Sequence, residues 1–486
     1  MTPVAAEVVI ETTKNEALAI EDVEATQATA ELTPEPVRYA NSTNPRNWPN
    51  AKKYRAVLLA SLYTFISPIS SSMVAPALPF IAADLHITKI LDLEMTMSIF
   101  ILAYAIGPLF LGPLSEIYGR YKILQASLWF FVVFNAVCGL SQTKEQLILF
   151  RFLAGLGGSA PIALAGSVVA DCFSGAEMGM AMSYYGLGVI LAPAVGPILG
   201  GFVTQYISWN WVFYAVSIIG GVFAIAGTFL LPETYSPILL AQQQKANGTE
   251  PEHKPDPIVV YKTAIVRPFV LLATQPIAQV IALIMAFVYG VMYISLSTFS
   301  ALFVRFYHQS TQISSLHYLA LAVGLFIGNR LSGKVLDDVS KYCQKRYKTG
   351  PKPEYWLPLT IPSALLLPLG LLIYGWSAEN VTHWIIPDIG IAIFAISVNI
   401  SFQALTVYTV DVYGLYSASA LAAVGCLRSV AGFGFPLFAQ DMFNEMGYGW
   451  GNSVLALVGI GLGIPAPILL WVYGERLRKA SKFLTS

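Results

Sequence analysis

Apolar segments of about 20 residues recur along the chain and constrain its fold more than any other feature. A helix of that length crosses the hydrocarbon core of a bilayer, and most of the segments lack the polar face of a soluble helix. The predicted spans are 55–78, 93–114, 122–140, 147–170, 180–203, 210–231, 272–298, 315–335, 356–376, 383–408, 415–438 and 452–474. The sequence therefore predicts an all-α, polytopic membrane protein with twelve transmembrane helices.

The composition agrees with this fold class and argues against several functions. Only 12% of the residues are charged, whereas a soluble protein has about a quarter. The formal net charge is +0, so nothing indicates a nucleic-acid partner. The four Cys and five His show no metal-type spacing, and the chain has no GxxxxGK[ST] phosphate-binding loop. We expect neither a metal nor another cofactor, and no enzyme activity.

The spacing of the spans divides the chain into two halves. A polar segment, 232–268, separates six predicted spans from six, which suggests two bundles with a site between them. The expected parts are a disordered cytoplasmic tail (1–53), an N-terminal six-helix bundle (54–231), a cytoplasmic middle loop (232–268), a C-terminal six-helix bundle (269–474) and a cytoplasmic tail (475–486).

The distribution of basic residues predicts the orientation. With the N-terminus inside, most of the 28 Lys and Arg residues fall in inner segments, and the outer loops hold Lys89, Lys144 and Arg305. Because basic residues concentrate on the cytoplasmic side, both termini and the middle loop are expected in the cytoplasm.

Three motifs carry a resemblance to a known family. Residues 112–124 read GPLSEIYGRYKIL, the stretch 151–171 runs from an Arg to an Asp, and residues 196–201 read GPILGG. Together they resemble signatures of the major facilitator superfamily, and further pieces such as NPRNW (44–48) and PETY (232–235) resemble its fungal twelve-spanner drug:proton antiporters. The resemblance implies the major facilitator fold and a monomer that exchanges a small molecule for protons.

The resemblance also assigns conformational roles to a set of residues. Glu116 and Arg120 are expected to form a charge clamp; the alternative is a simple turn with basic residues on its inner side. The glycines and proline of the fifth span are expected to bend that helix and pack it against the other half, although ordinary small-residue packing is the alternative. The full set is Gly112, Glu116, Gly119, Arg120, Asp171, Gly196, Pro197, Gly200, Gly201 and Asp411.

This chain departs from the family pattern at three positions. Glu116 stands where Asp is usual, and Ile117 stands where a basic residue is usual. Gln275 stands where many fungal relatives have an acid, which argues against a polyamine substrate.

Two arginines within predicted spans are candidate functional residues, because a charge in an apolar helix is costly. Arg151 either lines a cavity, for proton coupling or for holding an anionic group, or extends its side chain to the membrane interface. Arg428 lies in the middle of the eleventh span and must face protein or water. Its role is either contact with the substrate or a structural partnership on a neighbouring helix.

A polar and aromatic stripe follows the seventh predicted span. At 100° per residue its members fall within about 80° of one another; they are Gln275, Gln279, Tyr289, Tyr293 and Ser297. Amides and phenols can bind the polar groups of a substrate and still present apolar faces. The alternatives are hydrogen bonding between helices and tyrosines at the membrane interface.

The tenth predicted span carries a second stripe, formed by Asp388, Asn399 and Gln403. Asp388 is a candidate proton carrier if it lies inside the membrane; the alternative is an outer-loop residue just beyond His383. Asn380 begins an Asn-Val-Thr sequon in a short loop predicted to be outside, so it is a candidate glycosylation site.

These features predict a secondary active exporter of a small organic molecule, which works by proton antiport with alternating access. We expect it in the plasma membrane, with a vacuolar or other internal membrane as the alternative. A proton-coupled nutrient importer is a second hypothesis, which the fifth-span motif disfavours, and a membrane-embedded enzyme is a third. Since Arg151 and Arg428 are basic and several spans lack an acid at mid-depth, we expect an anionic or neutral substrate: an organic acid, a secondary metabolite or a drug-like compound.

Overall fold

A computed structural model of the chain describes residues 44–173, 176–246, 257–348 and 350–481. Long helices make up nearly all of this part of the chain, because within a bilayer only helices and closed barrels satisfy every backbone hydrogen bond internally. We number the spanning helices α1 to α12.

The N-terminal half contains α1 Asn50–Ser72 with its continuation Leu78–Asp84, α2 Ile90–Tyr118, α3 Arg120–Cys138, α4 Lys144–Cys172, α5 Ala176–Tyr206 and α6 Asn210–Leu230. The C-terminal half contains α7 Pro276–Phe306, α8 Tyr318–Tyr347, α9 Thr360–Glu379, α10 Ile385–Tyr413, α11 (417–446) and α12 (448–463, continued by Pro465–Ala480). We call the side on which α1 ends and α2 begins the predicted outer side.

The helices are consistent with the twelve predicted spans. Ten segments of the described chain are long and apolar enough to cross a membrane. One of them, Ser417–Lys479, contains two spanning helices, α11 and α12. They are separated at Gly447, whose φ of 75° interrupts the helix. Helix α5 adds a further apolar helix of 31 residues. The all-α membrane fold is therefore confirmed.

Several helices extend beyond the predicted spans, because the lipid-crossing length does not limit a helix. Helix α2 continues to Tyr118 and ends where Gly119 adopts a φ of 100°, which favours glycine. Helix α7 begins later than predicted, at Pro276, and Gln275 precedes it as the N-cap residue in an extended conformation. Proline at the first helical position fits such a start.

The predicted middle loop, 232–268, contains helices rather than only irregular chain. Helix Ser236–Ala246 and most of helix Pro257–Thr274 lie within it. The second of these packs against both α2 and α11, so it contacts both halves of the molecule. Part of this loop (247–256) lies outside the described residues, as do most of the N-terminal tail (1–43) and the end of the C-terminal tail (482–486).

Glycines allow close helix contacts at corresponding places in the two halves. A Cβ at Gly155 of α4 would lie 2.6 Å from the carbonyl oxygen of Phe100 on α2. A Cβ at Gly324 of α8 would likewise collide with the carbonyl oxygen of Ala392 on α10. The pairs α2/α4 and α8/α10 hold the same positions in their respective halves, which fits a repeated six-helix unit.

Candidate functional site

Aromatic and hydroxyl side chains from both bundles meet between them. The Tyr293 hydroxyl of α7 lies 3.4 Å from the Ser71 hydroxyl of α1, across the boundary between the bundles. The Tyr289 ring lies 4.9 Å from the Tyr293 ring and 5.9 Å from the Phe402 ring on α10. We call these groups and their neighbours the central cluster; it comprises Ser67, Ser71, Tyr104, Tyr289, Tyr293, Phe402 and Arg428.

Arg428 brings a cation into the central cluster. Its guanidinium carbon lies 4.9 Å from the Tyr289 ring centroid and 5.8 Å from that of Phe402. The side chain is half-buried, and its Nε has no hydrogen-bond partner among the described residues. Within the same part of the chain, no carboxylate lies within ion-pair distance of it. An arginine held on aromatic faces without a counter-charge can bind an anionic group.

Arg151 occupies a different environment, inside the N-terminal bundle. It is fully buried, and its Nε donates to the Thr96 carbonyl of α2 at 3.2 Å. One terminal nitrogen donates to the Ser70 carbonyl at 3.2 Å, and the guanidinium lies 4.3 Å from the Phe100 ring. The side chain therefore does not extend to the membrane interface, and it links α1, α2 and α4.

A polar network continues from Arg151 through helices that the sequence analysis did not connect. The Ser70 hydroxyl donates to Asn135 Oδ1 on α3 at 2.7 Å. Asn135 Nδ2 donates to the Phe213 carbonyl and to the Ser217 hydroxyl on α6, both at 2.9 Å. The network satisfies polar groups that would otherwise be costly in an apolar bundle.

The structure separates the polar stripe of the seventh span into two groups. Tyr289 and Tyr293 lie in the central cluster, but Gln275 precedes α7 and accepts a hydrogen bond from Ser481 at 2.6 Å. Exposed Gln279 donates to the Ala273 carbonyl at 3.0 Å. About 14 residues of helix, or roughly 20 Å, lie between the glutamines and the tyrosines. A role of the glutamines in the pathway stays a prediction.

Asp388 lies in the first turn of α10 and is buried, so it is not a solvated loop residue. Its Oδ2 lies 2.7 Å from Nδ1 of His317, whose Nε2 lies 2.8 Å from Gln309 Oε1. The imidazole also stacks on Phe303, with ring centroids 3.6 Å apart. This pairing could not be predicted from local sequence patterns, because 71 residues separate the two partners.

The other two members of the tenth-span stripe lie further along α10. Asn399 faces α8 at Gly328, and its Oδ1 has no hydrogen-bond partner among the described residues. Gln403 is exposed beside Phe402 of the central cluster. Their proposed contact with the substrate is therefore untested.

The expected clamp between Glu116 and Arg120 is absent from the described structure. Glu116 is exposed, whereas Arg120 is buried and its Nε lies 3.7 Å from Asp171 Oδ2 at the end of α4. Arg120 also donates to Ser115, and its guanidinium lies 4.8 Å from the Tyr235 ring. Arg120 therefore pairs with Asp171 at the end of α4, and the described structure shows no ion pair between Arg120 and Glu116.

Glu233 binds the start of α3, next to the pair formed by Arg120 and Asp171. Its Oε1 accepts from the backbone N–H of Arg120 at 2.9 Å, and its Oε2 accepts from that of Tyr121 at 3.2 Å. A carboxylate on the unsatisfied N–H groups that begin a helix is favourable. The sequence analysis used Glu233 only as part of a family motif and missed this contact.

The glycines of α5 pack against two different partners. A Cβ at Gly196 or Gly200 would collide with Ser72 or Met73 of the N-terminal half, whereas one at Gly201 would collide with Ser315 just before α8. Only Gly201 of these three thus contacts the other half, while Pro197 lies inside α5. In contrast, a Cβ at Gly112 would meet nothing within 4 Å.

Asp411 and Asn380 lie at opposite ends of the C-terminal bundle. Asp411 Oδ2 accepts a hydrogen bond from the Trp356 indole at 2.5 Å, which ties α10 to the segment before α9. Asn380 is exposed directly after α9, and its Nδ2 donates to the Trp376 carbonyl at 2.8 Å. Glycosylation of Asn380 stays a prediction. The described residues contain no group of three or more potential metal ligands.

Comparison with known proteins identifies the family. The Major Facilitator Superfamily profile matches residues 60–436. The efflux pump VrtL of Penicillium aethiopicum is 42% identical over 448 residues, covering 90% of this chain and 89% of its own. The efflux pump RadE of Floropilus chiversii is 38% identical over 457 residues, covering 90% of this chain and 84% of its own.

Solved structures show the same fold. The xylose transporter XylE from E. coli, in a partially occluded inward-open conformation, superposes with a TM-score of 0.64 at 14% identity, over 87% of this chain and 99% of its own. A bacterial homologue of the lysosomal transporter Spinster, inward-facing and unoccupied, superposes with a TM-score of 0.63 at 15% identity, over 89% and 99% of the two chains. A membrane-embedded enzyme is therefore excluded, and this chain is a membrane transporter that belongs to the Major Facilitator Superfamily.

Proposed function

We propose that this transporter exports a small organic molecule that is anionic or neutral and carries an aromatic or otherwise apolar body. The observation that carries the proposal is Arg428, a cation held on two aromatic rings between the bundles without a described carboxylate partner. A carboxylate or phenolate of the substrate would pair with the guanidinium, and its ring system would stack on Tyr289 and Phe402.

The names of two relatives support export as the direction of transport. Two fungal proteins that match nearly the whole chain are named efflux pumps. The GPILGG segment, which resembles the antiporter signature, favours export over the alternative of a nutrient importer. We infer proton antiport with alternating access as the mechanism, with Asp388 and His317 as one buried proton-binding pair.

The remaining parts of the proposal concern the setting. We propose that the protein works as a monomer in the plasma membrane, with both termini in the cytoplasm. The excess of Lys and Arg on the inner segments supports the orientation. An impermeant label on a single cysteine placed at Leu140, an exposed residue between α3 and α4 on the predicted outer side, would mark intact cells only if this orientation is right.

Transport by purified protein in vesicles tests the function. We expect an imposed proton gradient to drive an aromatic carboxylic acid against its concentration gradient, and to drive its methyl ester more weakly. Spermidine, a polycation, serves as the opposite-charge control. Robust proton-driven transport of spermidine, with none of the acid, would contradict the proposed substrate class. Uptake of the acid down the proton gradient, in the same direction as the protons, would favour the importer.

A further inference from the structure

Glu94 is a buried acid on the contact surface between the two bundles. It lies about one turn into α2, near the predicted outer side, and its side chain is 4% exposed. Its carboxyl faces Ser297 of α7, which belongs to the other bundle. Gly201 of α5 also packs closely on Ser315, since a Cβ at Gly201 would collide with the Ser315 side chain. These two contacts hold the two halves together near the predicted outer side. We call the residues Glu94, Gly201, Ser297 and Ser315 the outer seal.

No cation among the described residues balances the Glu94 carboxyl. Its Oε2 has no hydrogen-bond partner in the described structure, and no described Lys, Arg or His lies within ion-pair distance of it. An unpaired carboxylate shielded from water costs far more free energy than the neutral acid. The closed outer seal therefore accommodates the protonated form of Glu94 and opposes the charged form.

The surrounding groups do not supply another charge. Tyr318 of α8 and Tyr448 of α12 are close enough to interact electrostatically with the carboxyl, and both are neutral phenols at ordinary pH. On its own helix, Asp92 pairs with Lys144 of α4. The Arg151 guanidinium bonds to the Thr96 carbonyl of α2.

Other charged groups nearby have their own partners. Arg305, at the end of α7, interacts with Tyr448 and bonds to Asn444 at 3.0 Å. Glu379 accepts from the backbone N–H groups of Tyr448 and Gly449. His317, next to Tyr318 in the chain, is engaged by Asp388.

We infer that Glu94 is a proton-binding site that controls the outer seal: a proton from the outer medium neutralises the carboxylate and lets the bundles close there. When the seal opens, water reaches the carboxyl, which releases its proton to that side and becomes stable as the anion. Acid outside thus favours closure, and higher pH favours opening. The inference rests on the alternating access of the proposed function, but not on the identity of the substrate.

Fluorescence energy transfer across the outer seal tests this inference. Labels are placed at Leu140→Cys and His383→Cys, which are exposed residues of the two bundles on the predicted outer side, in a full-length chain whose four native cysteines are replaced by serine. The protein is reconstituted in lipid nanodiscs without substrate. We expect the open fraction of wild type to rise severalfold between about pH 5 and about pH 8.

Four variants make the expectation specific. Glu94→Gln copies the protonated acid and should stay closed at every pH. Asp92→Asn removes a neighbouring acid with its own partner and should follow wild type. Ser297→Asp places a second acid opposite Glu94 and should move the opening to a pH lower by about one unit or more. His317→Gln removes the histidine of the other buried proton-binding pair, and its outer seal should still open as the pH rises.

Three results would overturn the inference. They are a wild-type distance that does not change with pH, a Glu94→Gln variant that still opens, and a response that disappears in His317→Gln but persists in Glu94→Gln. If Glu94→Gln does not fold, the Ser297→Asp shift decides alone. Vesicle transport separates this idea from the proposed function: a pH-responsive seal in a protein without proton-driven export removes antiport and leaves the Glu94 site intact.

Discussion

Arg151 and Arg428, the two candidate arginines of the predicted spans, have different surroundings. Arg151 is enclosed by α1, α2 and α4 and donates to backbone carbonyls and to a hydroxyl. Arg428 lies between the bundles on the faces of Tyr289 and Phe402, with its Nε unpaired in the described structure. Hydrogen bonds from Nε and Nη1 to α2 and α1 suit a residue that holds helices together, even with Nη2 of Arg151 unpaired among the described residues. A guanidinium held on aromatic rings between the bundles suits one that binds a ligand. Two arginines of equal charge, both within apolar spans, therefore need not have equal roles.

Substitution of Arg151 should have the largest effect on turnover. Arg151→Leu removes the cross-link between three helices that must move as one body, so we expect transport to fall by about 100-fold or more, which is roughly 2.7 kcal/mol. Substrate affinity, measured by equilibrium binding, should change by less than about threefold. Arg330→Leu is the matched control, because Arg330 is exposed on α8. Near-normal turnover of Arg151→Leu would show that the buried arginine is dispensable.

Substitution of Arg428 should instead change binding. Arg428→Gln removes the charge and most of the cation–π contact, so we expect the Kd of an anionic aromatic substrate to rise by about tenfold. The Kd of the methyl ester of the same substrate should rise by less than about threefold. An equal rise in Kd for the acid and the ester would mean that Arg428 does not interact with the charge of the ligand.

Asn135, which bonds to Ser70 beside Arg151, should contribute more to stability than Asn399 of the other bundle. Asn135→Ala removes the acceptor of the Ser70 hydroxyl, which still accepts from Arg151, and the donor to the Ser217 hydroxyl, and we expect a loss of about 1–3 kcal/mol. Asn399→Ala removes an amide whose Oδ1 already lacks a partner, so the cost should stay below about 1 kcal/mol. Thermal unfolding of the two variants in the same detergent gives the comparison. A larger loss for Asn399→Ala would reverse the assignment.

The smallest effect is expected at the contact between the bundles. The Tyr293 and Ser71 hydroxyls are 3.4 Å apart, which is long for a hydrogen bond between hydroxyls. Tyr293→Phe should therefore alter transport by about twofold or less in a vesicle assay. Tyr293→Ala is the companion variant, because it also removes the ring that packs on Tyr289. A tenfold loss in Tyr293→Phe would indicate that this hydroxyl contacts substrate directly.

Sequence patterns predicted the fold well, since the length of each apolar segment can be read directly along the chain. The same patterns identified Arg151, Arg428, Tyr289 and Tyr293 as candidate residues. They were wrong where a helix is interrupted. The stripe of the seventh span was predicted for one continuous helix, whereas α7 begins at Pro276 and Gln275 lies outside it.

Contacts between distant segments could not be predicted from sequence patterns. Glu94 lies one turn from a helix end, where an acid usually indicates solvent, and only the packing of the other bundle buries it. Likewise, Asp171 rather than Glu116 partners Arg120, because the end of α4 packs beside the start of α3. Periodicity describes one helix at a time and cannot specify which acid approaches a given arginine.

Helix Pro257–Thr274 packs against both α2 and α11, and Arg267 lies 5.2 Å from the ring of Tyr416, just before α11. This helix is a strap between the two bundles, which shift relative to each other in each cycle of the proposed alternating access. An antibody fragment or a peptide that immobilises this strap would arrest the protein without competing with its cargo. Such an inhibitor would be insensitive to the chemistry of whatever is carried.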